Sequence, residues 1–223
     1  MKRFYRMMLL MLLIIVVLIG CTLESEPPLD DLSEPTNDES QPVTDTDMDT
    51  NSSKDTLETE SIFDAVAENN LAEVISHLDA GVNVDEAGLA GLTSLHLAAR
   101  NGFSEITKLL IINGADLDIK SDDGYTPMHY AAHGDQAAVA KLLIDNGSDV
   151  NARDNTGFTP LHRAAVYGHI DTLKLLLESG AEVNAKDDSG TTPFEVAEKR
   201  DFLETTELFL EYGAENQAQL PAP

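Results

Sequence analysis

Residues 157–169 read GFTPLHRAAVYGH. Two histidines, an arginine, a tyrosine and a threonine crowd into this stretch, enough to suggest a nucleophile–base pair or a metal site. Its decisive property is that it recurs. TSLHLAA (93–99), TPMHYAA (126–132), TPLHRAA (159–165) and TPFEVAE (192–198) follow glycines at 91, 124, 157 and 190, each step being 33 residues. A second glycine register at 81, 114, 147, 180 and 213 keeps the same step. It follows the apolar endings EVISHL, ITKLLI, VAKLLI, TLKLLL and TELFLE. Two registers held through five copies define a repeat, and a repeat decides the fold before any single residue does.

Each copy makes local physical sense. Thr159 is a plausible helix N-cap, and Pro160 takes the first helical position, where its missing N–H does no harm. Leu161, Ala164 and Ala165 give an apolar face at i, i+3, i+4, with small side chains that let helices approach closely. Gly168 breaks that helix. Ile170, Leu173, Leu176 and Leu177 give the apolar face of a second, which Gly180 ends as a left-handed terminator. AEVNAKDDSG (181–190) then supplies a turn-rich connector. The expectation is an all-α solenoid of about five helix–turn–helix units with β-hairpin-like loops. The units fall near 61–90, 91–123, 124–156, 157–189 and 190–215, with a tail at 216–223.

This pattern resembles the ankyrin repeat family, whose 33-residue unit carries a Thr-Pro-Leu-His-x-Ala signature. The resemblance covers about residues 61–215. The unit from 91 differs mainly by Ser94 in place of proline. The first unit lacks the signature box and puts His77 where inner units have Leu110, Leu143 and Leu176, and the last replaces the histidine with Glu195. Terminal units need one polar outer face, which accounts for such changes. Gly134 sits one residue before the inter-helix glycine position, which Asp135 occupies.

His96, His129 and His162 thus become one repeat position seen three times. The resemblance implies that this histidine bonds the threonine (Thr93, Thr126, Thr159) and nearby backbone, bracing the helix start. Side chains separated by a repeat's thickness cannot share one metal ion, whose ligands stand about 2.0–2.1 Å from it. His129 and His133 are at i, i+4, but the HExxH pattern of zinc proteases is absent. No GxSxG elbow, phosphate-cradling GxxxxGK or GxGxxG occurs. The expectation is a protein that is not an enzyme, with no catalytic residues, no metal and no cofactor. A metal-binding or hydrolytic envelope protein, with the histidines as ligands, is the weaker alternative.

The front of the chain has another character. Lys2, Arg3 and Arg6 precede an apolar run of 13 residues, Met7 to Ile19. That suits a signal-peptide core and falls short of the about 20 residues a bilayer span needs. Leu18-Ile19-Gly20-Cys21 resembles a bacterial lipoprotein lipobox, which implies a signal peptide at 1–20 and lipidation of Cys21, the chain's one cysteine. Two or more acyl chains anchor stably. Residues 22–60 hold 13 acidic residues against Lys54 alone and no aromatic residue, a composition that predicts a disordered tether after the cysteine, over 21–60. Its r.m.s. reach would be roughly 35 Å. Asp45, Asp47 and Asp49 resemble the start of a calcium loop, but Thr50 and Thr56 stand where that loop needs glycine and glutamate.

A membrane-anchored, extracytoplasmic, non-catalytic protein-interaction module follows, in the bacterial cell envelope and facing the periplasm or the cell surface. Family resemblance places contacts on the loop tips and the exposed side of the first helices. Leu92, Tyr125 and Phe158 are expected to form an exposed apolar column. Arg100 with Asn101, His133, Val166 with Tyr167, and Lys199 with Arg200 are expected beside it. Aromatic and arginine side chains are the usual hot-spot types. Residues 61–223 hold 27 acidic and 10 basic residues in a chain of net charge −26. That field repels nucleic acid and anionic membrane surfaces and favours a basic protein partner kinetically. A monomer is expected, and immunity towards, inhibition of, or chaperoning of one exported enzyme or toxin is the sharper alternative role.

Overall fold

The computed structural model describes residues 61–215. The expected signal segment, Cys21, the acidic stretch to residue 60 with its calcium-loop resemblance, and the tail 216–223 lie outside the described residues. Ten α-helices follow one another: α1 (Ile62–Ala67), α2 (Leu71–Asp79), α3 (Ser94–Asn101), α4 (Ser104–Ile112), α5 (Pro127–His133), α6 (Ala137–Asp145), α7 (Pro160–Tyr167), α8 (Ile170–Glu178), α9 (Pro193–Lys199) and α10 (Leu203–Glu211). Each unit is an antiparallel helix pair. The odd-numbered helices pack against one another in one row and the even-numbered helices in a second. This is the all-α solenoid expected from the 33-residue period.

The core lies between the rows. Leu95, Ile106, Leu110, Met128, Leu143, Leu161, Leu173 and Leu176 are fully buried. The alanine pairs Ala98/Ala99, Ala131/Ala132 and Ala164/Ala165 are buried where neighbouring odd helices meet, because a methyl group is all that close helix approach leaves room for. Each buried leucine is worth about 2–5 kcal/mol against alanine. Val166 belongs to this core at 4% exposure, which corrects its placement on the binding face. Arg100, His133 and Lys199 occupy the same repeat position, and their long side chains carry polar ends outward. Valine has no such end and stays covered.

The connecting loops bear out the hairpin-like expectation without forming strands among the described residues. Ser121, Asp154 and Asp187 donate backbone N–H groups to the carbonyls of Tyr125, Phe158 and Thr191 four residues on. Neighbouring loops are tied too, as Asp122 N–H donates to Ala90, Asn155 to Asp123 and Asp188 to Thr156. Gly124 and Gly157 lie at φ 80°, and a Cβ there would stand 2.7 and 2.8 Å from the backbone nitrogens of Asn155 and Asp188. Only glycine meets both demands.

The inter-helix turn is less strict. Gly102 and Gly168 adopt the left-handed conformation, and so do Asn69, Asp135 and Asp201, at φ 54°, 54° and 58°. Asp135 therefore makes the turn that the neighbouring glycine was suited to, while Gly134 stays at φ −90°. Asn and Asp tolerate this region best after glycine. The Asp135 carboxylate also accepts the Thr172 hydroxyl at 2.9 Å, which ties the turn to the next unit.

Candidate functional site

The conspicuous histidines are bridges. In each of α3, α5 and α7 the threonine before the helix and the histidine three residues on close a reciprocal capping box. The backbone N–H groups of Thr93, Thr126 and Thr159 donate to Nδ1 of His96, His129 and His162 at 3.0, 3.2 and 3.1 Å. An N–H can only donate, so Nδ1 is bare and the ring proton is on Nε2. That Nε2 lies 2.9, 3.0 and 3.1 Å from the carbonyl oxygens of Tyr125, Phe158 and Thr191, each 29 residues ahead in the next unit's loop. Every ring thus satisfies its own helix start and fastens the following unit.

Burial keeps these rings neutral. It lowers the pKa of His96 and His162 below the ordinary imidazole value, against the opposing pull of the carbonyls they bond. His129 is pushed down to about 4 by burial. Among the described residues no group of three or more His, Cys, Asp or Glu side chains could hold a metal ion.

A second constellation joins units three and four. Asp154 and Arg163 form an ion pair at 3.0 Å, the carboxylate fully covered and the arginine side chain 10% exposed. Asp154 also accepts the Thr156 N–H and hydroxyl and the Phe158 N–H. Burial pushes this carboxyl up, but those hydrogen bonds and the Arg163 charge outweigh it and hold the group below the usual carboxylate value. The guanidinium lies over two rings, 4.4 Å from the Tyr125 centroid and 5.0 Å from that of Phe158, and donates to the Tyr125 hydroxyl. Phe158 stacks on His162 at 4.9 Å, and Tyr125 meets Tyr130 edge-on at 5.6 Å. The result is a fixed aromatic shelf with an arginine as its wedge.

This geometry changes the expected contact surface. Leu92, Tyr125 and Phe158 are half-buried rather than exposed, because the aromatic pair is clamped by Arg163. Arg100 and His133 are half-buried, Asn101, Lys199 and Arg200 exposed, and Tyr167 is 40% exposed. Asn101 spends its amide on the Leu97 carbonyl at 2.8 Å. Tyr167 packs edge-on against His133 at 4.7 Å and stacks on His169 at 5.5 Å. Sequence reasoning passed over Tyr130 and Arg163. Both stand at the variable position after the signature histidine, which reads Leu97, Tyr130, Arg163 and Val196 along the chain, and that variability was the signal available.

No helix among the described residues is long and apolar enough to cross a membrane. A family profile for ankyrin repeats matches in three overlapping copies, at residues 62–154, 95–187 and 140–219. An ankyrin repeat-containing protein of Schizosaccharomyces pombe is 41% identical over 65 residues, which are 29% of this chain and 31% of that relative. The chain thus spans under a third of the relative's length. With the profile covering most of the chain and the Thr-Pro-x-His boxes linking unit to unit, this protein belongs to the ankyrin-repeat family.

Proposed function

We propose that this protein is a non-catalytic interaction module, lipid-anchored through Cys21 on the outer side of a bacterial membrane. Ankyrin repeats indicate protein–protein interaction. The observation that carries the reading for this chain is the use of its histidines. Each of the three rings that could have done chemistry has both nitrogens committed to backbone or capping contacts. What remains for recognition is the exposed side of the odd helices and the loops between units, where Arg100, His133, Tyr167, Lys199 and Arg200 present polar and aromatic ends. The fixed shelf of Tyr125, Tyr130, Phe158 and Arg163 lies at its centre.

The anchor rests on the basic start, the apolar run Met7 to Ile19 and the Leu-Ile-Gly-Cys sequence ending at Cys21. Residues 22–60 would then serve as the spacer between lipid and repeats. Growing cells that express the full chain with an alkyne-tagged palmitate tests this part. Label should enter the wild-type chain and be absent from Cys21→Ser. Equal labelling of the two would remove the anchor.

A further inference from the structure

We propose that the exposed face of α3, α5 and α7 docks a partner segment that carries carboxylates beside an aromatic side chain. This rests on the interaction reading above and names the chemistry of the partner. It replaces the expectation of a basic partner, whose only warrant was the net charge.

In units two to four the two helix rows differ in charge. There the even-numbered helices α4, α6 and α8 carry Glu105, Asp145, Asp171 and Glu178 beside Lys108, Lys141 and Lys174. Helices α3, α5 and α7 carry Arg100, Arg163 and His133, and no aspartate or glutamate. Acidity that served solubility alone would be spread over all exposed helix faces. Here it is absent from α3, α5 and α7, although the outer helices of the same row, α1 and α9, carry Asp64, Glu195 and Glu198. Contact energies are set within about a Debye length, roughly 8 Å at physiological salt, so the face and not the total decides what can sit on it.

The face also has a donor to spare. Arg163 is already neutralised by Asp154. Arg100 is half-buried, and its side chain takes part in no ion pair among the described residues. A half-buried guanidinium gains from a carboxylate in fork geometry, and incoming cations meet repulsion there. Leu97 with Arg100, and Tyr130 with His133, are i, i+3 pairs on neighbouring helices, so apolar and donor groups run side by side. Tyr130 is braced edge-on by His96 at 5.4 Å and by Tyr125, which leaves little side-chain freedom to lose on binding an aromatic group. Asp135, just beyond α5, accepts the Thr172 hydroxyl and stands 3.8 Å from His169, with its side chain 45% exposed.

An acidic partner must approach against the field of the whole molecule. Association should therefore speed up as salt rises from about 50 to 150 mM, whereas a basic partner would slow down.

Three synthetic peptides of equal length, each with two tryptophans and with glutamate, glutamine or lysine elsewhere, can be titrated into the isotope-labelled full chain. The glutamate peptide should bind about 10-fold tighter than the lysine peptide and shift the amides of α3, α5 and α7. Arg100→Glu should reverse that order, Arg100→Gln should level it, and both should melt as the wild type does. Tyr130→Ser should weaken all three peptides alike. A lysine peptide that binds tighter on this face, or a glutamate preference that survives Arg100→Glu, overturns the proposed chemistry and leaves an interaction surface in place. Absence of any shift on these helices with all three peptides would overturn that surface as well.

Discussion

Units three and four differ from the last unit at the signature histidine, and the difference separates two jobs that one residue can do. All three open their first helix with Thr-Pro and close a capping box. In the inner units the box is completed by His129 and His162, in the last by Glu195, which accepts the Thr192 N–H at 2.9 Å. The first unit closes its box with Ser61 and Asp64. A carboxylate therefore suffices to cap a helix. Only histidine, with an acceptor on one side of its ring and a donor on the other, also reaches the next unit's carbonyl. In the first unit Phe63 holds the histidine's place, and a Cβ on Gly88 of the following loop would lie 3.2 Å from its ring. Apolar contact does there what a hydrogen bond does further along.

The sharpest way to break this contrast is at the buried ion pair. Arg163→Ala strands Asp154 in a covered site and should cost about 3–5 kcal/mol, read as a fall in the urea midpoint. Arg153→Ala removes an exposed pair at 3.7 Å from Asp188 and should change stability by less than about 1 kcal/mol. Next comes the box itself. His129→Ala leaves the Thr126 N–H and the Phe158 carbonyl unpaired and opens a cavity, at about 3 kcal/mol. Glu195→Ala loses a cap alone, about 1 kcal/mol. Similar losses at the two positions would deny the histidine its second role.

Acid should act on the inner units selectively. The unfolded chain protonates its histidines near 6.5, while folded His129 resists until about 4. Between those values the unfolded state binds more protons, so stability falls as pH falls through this window and is fully retained above it. His129 alone contributes about 3 kcal/mol to that loss. The folded Asp154 carboxyl is held below its usual value, so its contribution is present above the usual carboxylate range and is lost at still lower pH. His129→Gln should flatten the slope between pH 6.5 and 4 in denaturant titrations.

The smallest effect concerns the first loop. Ala90 sits at φ 57°, a region where a Cβ costs free energy. Ala90→Gly should raise stability by about 0.5–1 kcal/mol, visible as a small rise in thermal midpoint.

Much of the architecture was legible because the repeat writes it five times. Helix starts, terminators and the alanine seam all follow from Thr-Pro, Gly and Ala-Ala at fixed spacing. The site was legible only in part. Val166 was assigned by register, and register does not say whether a side chain has a polar end to carry out to solvent. Tyr125 and Phe158 were expected at loop tips. Their half-burial depends on Arg163, which lies 38 residues beyond Tyr125 and shows no local pattern that links it to either ring. The left-handed turn at Asp135 was ambiguous because glycine stood beside it, and the Thr172 hydroxyl that holds it comes from the next unit.

Imidazole tautomers provide the most direct test of the bridging histidines. A long-range proton–nitrogen spectrum of the full chain at pH 7 should show His96, His129 and His162 as neutral rings protonated at Nε2, with Nδ1 bare. Finding any of the three protonated at Nδ1, or as an imidazolium, would contradict the hydrogen bonds that join unit to unit.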